Sequence, residues 1–248
     1  MGRFASKRIV VTGAGRGLGL AFAERLGREG ASLVIAEIDA ALGAEAVASL
    51  AAKKIDATFV QTDIASEASV NGMAREAAQA GPIHGLVTNA GWANNVGGKT
   101  YDEITPDVWD RMMAVNVRGT WLTVRAIAPL MAEGGAIVTV SSDSIYWGAP
   151  RLLHYVTSKS AIVGMTRSLA RELGPRMIRV NCLLPGLTVV EATKDIPEAR
   201  WDDYQSRQIL KRKQTPDDLD GVVSFLLSDD AKFMTGQTVA IDGGFSLH

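Results

Sequence analysis

Short apolar, β-branched runs recur along the chain, and each ends in glycine or polar residues. Arg8-Ile9-Val10-Val11 runs into Thr12-Gly13-Ala14-Gly15-Arg16-Gly17-Leu18-Gly19, and Ser32-Leu33-Val34-Ile35-Ala36 ends at Glu37. Ala57-Thr58-Phe59-Val60-Gln61 runs into Thr62-Asp63-Ile64, and His84-Gly85-Leu86-Val87 runs into Thr88-Asn89-Ala90-Gly91. Amphipathic segments fill the gaps, through Phe22, Leu26 and Glu29 and at roughly 42–53 and 67–79. Strands alternating with helices predict a parallel sheet joined by right-handed crossovers.

The second half continues the pattern. Thr105-Pro106-Asp107, with an N-cap, a proline at the first helical position and an acid in the first turn, starts a helix through Trp109, Met112, Met113, Asn116 and Trp121 to about Met131. Asn116 reads equally as a satisfied buried amide or as a site residue. Gly135-Ala136-Ile137-Val138-Thr139-Val140 is a fifth strand, delivering Ser141 and Ser142 to its end, followed by Ser144, Tyr146 and Trp147 and a helix at 152–173. A sixth strand, 177–184, closes in Pro185-Gly186. The least patterned stretch, Leu187 to Lys213, is rich in charge and holds Trp201 and Tyr204. A segment this long between core elements reads as a substrate lid. Thr215-Pro216-Asp217-Asp218 caps a helix through Val222, Val223, Phe225 and Leu226, and Thr238-Val239-Ala240-Ile241 is a last strand. With no repeat or composition break, residues 1–248 read as one domain.

Composition bounds the chemistry. A chain of 248 residues buries a substantial core. Its 26 basic and 27 acidic residues are dispersed, which excludes the electrostatic footprint of a nucleic-acid partner. Lys211-Arg212-Lys213, the one compact basic run, reads as a solvated helix end. Cys182, the single cysteine, reads as a small buried hydrophobe. His84, His154 and His248 lack zinc-ligand spacing, so metal-free chemistry is expected. No apolar run approaches the ~20 residues of a membrane span, and Met1 to Lys7 is too short and polar for a signal peptide, so a cytoplasmic enzyme is expected.

The chemistry centres on Tyr155 and Lys159. Four residues apart on a helix, they share a face, where an ammonium beside a phenol is expected to favour its ionised form and ready it for proton exchange. The glycine-rich turn is spaced Gly-x3-Gly-x-Gly at Gly13, Gly17 and Gly19, and the amides of the following helix start favour a pyrophosphate. Glu37, twenty residues after Gly17, stands where an acid binds the adenosine ribose hydroxyls. In such sheets ligands sit beyond the carboxyl ends of the strands, where all these polar endings fall.

Taken together, Thr12-Gly13-x3-Gly17-x-Gly19, Asp63, Asn89-Ala90-Gly91, Asn116, Ser142, Tyr155-x3-Lys159 and Pro185-Gly186 resemble the short-chain dehydrogenase/reductase family over essentially the whole chain. The resemblance implies a doubly wound, Rossmann-like α/β fold with a mostly parallel seven-stranded sheet and helices on both faces. It implies a nicotinamide cofactor, hydride transfer to or from a secondary alcohol or ketone, and a homotetramer. Tyr155 would be the general acid/base, with Lys159 lowering its pKa and holding the nicotinamide ribose. Ser142 would hydrogen-bond the substrate oxygen, and Asn116 would bind a relay water. Gly13, Arg16, Gly17, Leu18, Gly19, Asp63, Ile64, Asn89, Ala90, Gly91, Pro185 and Gly186 would surround the cofactor. The family's carboxamide-binding threonine is replaced here by Val190, so that contact passes to Thr188. Ser144, Tyr146, Trp147 and His154, with Trp92, Asn94, Leu187 and Trp201, would shape the substrate pocket, whose aromatics imply a cyclic or aryl substrate. Arg16 could pair with the 2′-phosphate of NADP, but Glu37 would face that phosphate and is fixed by its strand, so NAD is expected. The competing readings are an NADPH-dependent 3-oxoacyl-carrier-protein reductase and a non-catalytic nucleotide sensor. The sensor should lose Tyr155 or Lys159, and both are present.

Overall fold

The computed structural model describes residues 2–247. Seven strands, β1 (Arg8–Thr12), β2 (Ser32–Glu37), β3 (Ala57–Gln61), β4 (Ile83–Thr88), β5 (Met131–Val140), β6 (Arg179–Pro185) and β7 (Thr238–Ile241), form one sheet. Their order is β3-β2-β1-β4-β5-β6-β7, and every neighbouring pair is parallel. This is the doubly wound fold expected. The chain winds one way from β1 to β3, then returns to the other side of β1 with β4, so a crevice opens at the carboxyl ends of those two strands.

Strand periodicity explains the layers. Ile9 and Val11 point to one face, joining Phe22 and Leu26 of α1 (Gly17–Arg28), Leu50 of α2 (Ala40–Ala52) and Val223 of α9 (Asp217–Leu227). Val10 points to the other, with Met73 of α3 (Glu67–Ala78) and Leu122 and Ile127 of α5 (Gly119–Ile127). Each such buried side chain contributes roughly 1.5–3 kcal/mol, so the sheet is held by cores on both faces. No helix among the described residues is long and apolar enough to cross a membrane.

Five expectations are corrected. The helix expected from Thr105 to about Met131 is α4 (Pro106–Met112), a π-helical turn at Met113–Arg118, α5, and a 3₁₀ turn at Ala128–Leu130. Pro129, which lacks an amide donor, marks its end. β5 therefore begins at Met131, opposite Ile83, and reaches regular register at Ala136 opposite Gly85. The sixth strand begins at Arg179, because Met177 takes a left-handed φ of 56° after a 3₁₀ turn. The segment expected to lack pattern contains α8 (Glu198–Arg207), which buries Trp201 and Tyr204. Lys211, Arg212 and Lys213 follow it in a loop, not at a helix end, with Arg212 paired to Asp218 and Lys213 to Glu198.

Candidate active site

The glycine-rich turn is shaped by its neighbours. Gly13 has φ 62° and Gly17 φ 57°, backbone that favours glycine. A Cβ on Gly13 would lie 2.7 Å from Ala90 Cα, and one on Gly19 would lie 2.1 Å from the Gly13 carbonyl oxygen. The turn is tied to β4 by Asn89, whose Nδ2 donates to the Thr12 and Gly13 carbonyls at 3.2 and 3.0 Å, and by the Ala90 amide donating to Thr12 Oγ1 at 3.1 Å. Asn89 thus spends its amide shaping the turn. Arg16 is exposed and makes no ion pair among the described residues. Leu18 packs on the core below.

Glu37, 9% exposed at the end of β2, turns its carboxylate under this loop. Its Oε2 accepts from the Gly15 amide at 3.1 Å, and its Oε1 from the Ile38 and Asp39 amides at 2.9 and 3.3 Å. Asp63 is half-buried after β3 and its Oδ1 accepts from the Ala65 amide at 2.9 Å, while Ile64 packs against Gly119 of α5.

Beyond β4, Gly91 admits two larger groups. The place its Cβ would take is 3.2 Å from Asn116 Oδ1 and 3.6 Å from Lys159 Nζ. Asn116, in the π-helical turn, is 2% exposed and fully engaged. Its Oδ1 accepts from the Trp92 amide at 2.6 Å, and its Nδ2 faces the Trp92 carbonyl, Ser158 Oγ and Met112 Sδ. Both ends of the side chain are therefore spoken for within the protein, and Asn116 ties the loop after β4 to α7 (Leu153–Leu173).

α7 carries Tyr155 and Lys159 towards the end of β5. Tyr155 is half-buried, and Lys159 Nζ lies 5.8 Å from its ring centroid while donating to the Val140 carbonyl at 3.1 Å. Burial pushes the Tyr155 phenol up to about 12, against a hydrogen bond with Ser142 that lowers it, and with the Asp143 charge adding to the rise. Burial also takes Lys159 down to about 8. The expectation that Lys159 brings the tyrosine down is thus corrected. The lysine is itself desolvated and sits over the ring face, so burial dominates both groups.

Ser142 lies beside Tyr155, between β5 and α6 (Ser144–Trp147). Its hydroxyl donates to Asp143 Oδ1 at 3.3 Å and accepts from the Ser144 amide at 3.2 Å. Pro185-Gly186 ends β6 where space is scarce: a Cβ on Gly186 would lie 2.6 Å from the Tyr204 phenol oxygen and 2.9 Å from Asp242 Cα. The Thr188 assignment fits poorly. Its hydroxyl, 3% exposed, is 2.9 Å from Gln214 Oε1 and 3.0 Å from the Gly186 carbonyl, so its donor is committed inside the loop.

The expected pocket residues divide. Ser144 and His154 are buried, and Ser144 Oγ and His154 Nδ1 find no hydrogen-bond partner among the described residues. Burial lowers the His154 pKa. Tyr146 is exposed, Asn94 is exposed, and Leu187 is half-buried. Trp92 is half-buried beneath the Arg111 guanidinium, 4.5 Å from its ring centroid. Trp147 leans on Phe245, and Trp201 is turned into the lid under Lys213. Sequence reasoning passed over Asp143 and Phe245, and gave Tyr204 and Asp242 no part in the site. Only the adjacency of Asp143 to Ser142 could have drawn attention to them. Among the described residues, no group of three or more His, Cys, Asp or Glu side chains is placed to hold a metal ion.

Residues 13–246 match a family described as enoyl-(acyl carrier protein) reductase. The chain is 37% identical over 242 residues to a probable galactose dehydrogenase, GalD, of Rhizobium meliloti, covering 95% of this chain and 93% of that one. It is 36% identical over 247 residues to dehydrogenase/reductase SDR family member 4 of Sus scrofa, covering 96% and 87%. Among solved structures, a blue fluorescent protein from a metagenomic library in complex with NADPH superposes with a TM-score of 0.92 at 33% identity, covering 99% and 100%. A short-chain dehydrogenase/reductase from Serratia marcescens does so with a TM-score of 0.92 at 31% identity and the same coverage.

Proposed function

Because this chain belongs to the short-chain dehydrogenase/reductase family, we propose that it moves a hydride between a nicotinamide cofactor and a secondary alcohol or ketone. The observation that carries this reading is the meeting of Ser142 and Tyr155, with the Lys159 ammonium over the phenol ring. A phenol held near 12 stays protonated at neutral pH. It is suited to give its proton to a carbonyl oxygen that is becoming an alkoxide, a stronger base. Ser142 hydrogen-bonds that same oxygen, an electrostatic contribution that grows where water is excluded.

The residues fit the cofactor. α1 has no acid in its first turn and no side-chain cap, leaving its amides and positive dipole end to a pyrophosphate. Glu37 would hold the adenosine ribose, Asp63 the adenine and Lys159 the nicotinamide ribose. The cofactor would supply or accept the hydride, and proton transfer, orientation and water exclusion fall to the chain. A panel of secondary alcohols and ketones, including galactose, other polyols and cyclic and aryl compounds, read by nicotinamide absorbance, tests the reading. Turnover of acetoacetyl thioesters with NADPH in place of the panel would favour the 3-oxoacyl reductase.

We read the cofactor as NAD. At about 5 Å and an effective dielectric near 20, a charge pair is worth roughly 3 kcal/mol before screening. Glu37 is pinned by three backbone amides, so a 2′-phosphate would meet a carboxylate that cannot turn away, whereas the exposed Arg16 is free to. A preference for NAD of at least about tenfold in kcat/KM, or ~1.4 kcal/mol, is expected, and Glu37→Ala should narrow it. Values favouring NADP in the unaltered enzyme would overturn this reading.

An open apolar cleft between α4, the π-helical turn, α5 and α7, lined by Met113, Val117, Trp121 and Met165, supports a homo-oligomer, which we take to be a tetramer. Sedimentation at working concentration checks it, and a single monomeric species would contradict it. The single cysteine, Cys182, is buried and unpaired, which suits the reducing cytoplasm where we place the enzyme.

A further inference from the structure

Asp143 is 3% exposed, yet among the described residues no cation pairs with it. Its backbone amide is fixed to the Pro185 carbonyl at 3.0 Å. Its two oxygens face opposite ways in function: Oδ1 accepts from Ser142, and Oδ2 accepts from the Tyr204 hydroxyl of α8 in the lid. The Tyr204 ring is stacked on Phe245, with centroids 4.2 Å apart and planes 9° apart. The Trp147 indole faces the carboxylate without closing a hydrogen bond. The charged and titratable groups around Asp143 are Asp242 after β7, Tyr155 on α7, and Tyr204 on α8. Arg200 and Arg207 of α8 lie over the Trp147 and Phe245 rings, not on the carboxylate. His154, also on α7, has its pKa lowered by burial and by the like charge of Lys99.

We propose that Asp143, braced by Tyr204 of the lid helix, is a positioning residue that sets which way the Ser142 hydroxyl points. The proposal rests on the reading of Ser142 as the group that touches the substrate oxygen. One lone pair of Ser142 Oγ already accepts the Ser144 amide. When Asp143 is ionised, Ser142 gives its proton to the carboxylate, and its remaining lone pair is left to accept from an alcohol hydroxyl. When Asp143 is protonated, the acid donates to Ser142 Oγ, and the serine proton is freed for the oxygen of a ketone. One buried carboxyl thereby adjusts the serine to the two directions of the reaction, and lid docking and serine orientation become a single event.

The test is the pH profile of kcat for ketone reduction, with amide hydrogen exchange of α8 measured alongside. Burial raises Asp143 to about 6, and the Tyr204 hydrogen bond opposes the rise. The unaltered enzyme should therefore show a step near pH 6, faster on the acid side. In Asp143→Asn the amide donates to Ser142 and its carbonyl accepts from Tyr204, so the acid plateau should persist with no step. Asp143→Ala should likewise show no step, with a flat profile about tenfold below the acid plateau of the unaltered enzyme, the loss expected of an orienting charged hydrogen bond. Tyr204→Phe keeps the ring stack and should move the step to higher pH. α8 amides should exchange faster in both Asp143→Ala and Tyr204→Phe. An Asp143→Asn enzyme that keeps the step, or unchanged exchange in both of the other variants, overturns the proposal. If Ser142→Ala turns over as the unaltered enzyme does, the reading of the site fails. If Ser142→Ala is impaired and the Asp143 variants are normal, only this inference fails.

Discussion

Tyr155→Phe is expected to abolish measurable turnover, a loss of at least roughly 10²–10⁴-fold, while cofactor affinity stays near that of the unaltered enzyme. The substitution removes one oxygen and keeps the ring that Lys159 lies over at 5.8 Å, so the packing of α7 against β5 and β6 is retained. What disappears is the proton donor beside Ser142, and no other group at the site replaces it. Asp143 gives its oxygens to Ser142 and Tyr204, and the Asn116 side chain is engaged with Trp92. Single-turnover rates and cofactor titration by tryptophan fluorescence separate the two quantities. A kcat equal in variant and unaltered enzyme would remove Tyr155 from the chemistry.

Lys159→Ala should do damage of a different kind, weakening cofactor binding and turnover together. Its ammonium is anchored to the Val140 carbonyl and reaches the space above Gly91, so one group serves both the ribose subsite and the phenol. The sign of its pH dependence follows from burial, which takes it from 10.5 to about 8. The ammonium is present below about pH 8 and is lost as pH rises through that value. Cofactor affinity and rate should both decline on that limb, and the limb should be missing in the variant. For stability the same group works the other way: its buried charge costs free energy below pH 8, and that cost is relieved as pH rises towards the unfolded value of 10.5. Unchanged dinucleotide affinity in Lys159→Ala would strip the lysine of its ribose role.

The sheet and the ends of its strands were legible because burial on both faces leaves an unmistakable mark. Runs such as Ile9-Val10-Val11 and Leu33-Val34-Ile35 are apolar without alternation, as strands covered on both sides must be. Tyr155 and Lys159 were legible because a helix turns a spacing of four into adjacency. What was not legible depends on contacts distant in sequence. α8 buries only Trp201 and Tyr204 among charged neighbours, too thin a stripe to show as periodicity. Tyr204 reaches Asp143 across 61 positions, and Thr188 meets Gln214 across 26. The Tyr155 pKa was misjudged because spacing reports the nearby charge and says nothing of desolvation, which here outweighs it.

The π-helical turn at Met113–Arg118 works as a phase shifter. Relative to an α-helix it holds one surplus residue, which turns everything beyond it by roughly 100° about the axis. Met112 and Asn116 are buried, while Trp121, five residues beyond Asn116, is 43% exposed and lines the open apolar cleft. A lineage that shed one residue here would keep a helix of normal appearance and composition, yet the face it turns to the core beyond this point would swing away by roughly 100°. Length between Thr105 and Pro129 should therefore be more rigidly constrained than the identity of most residues within it.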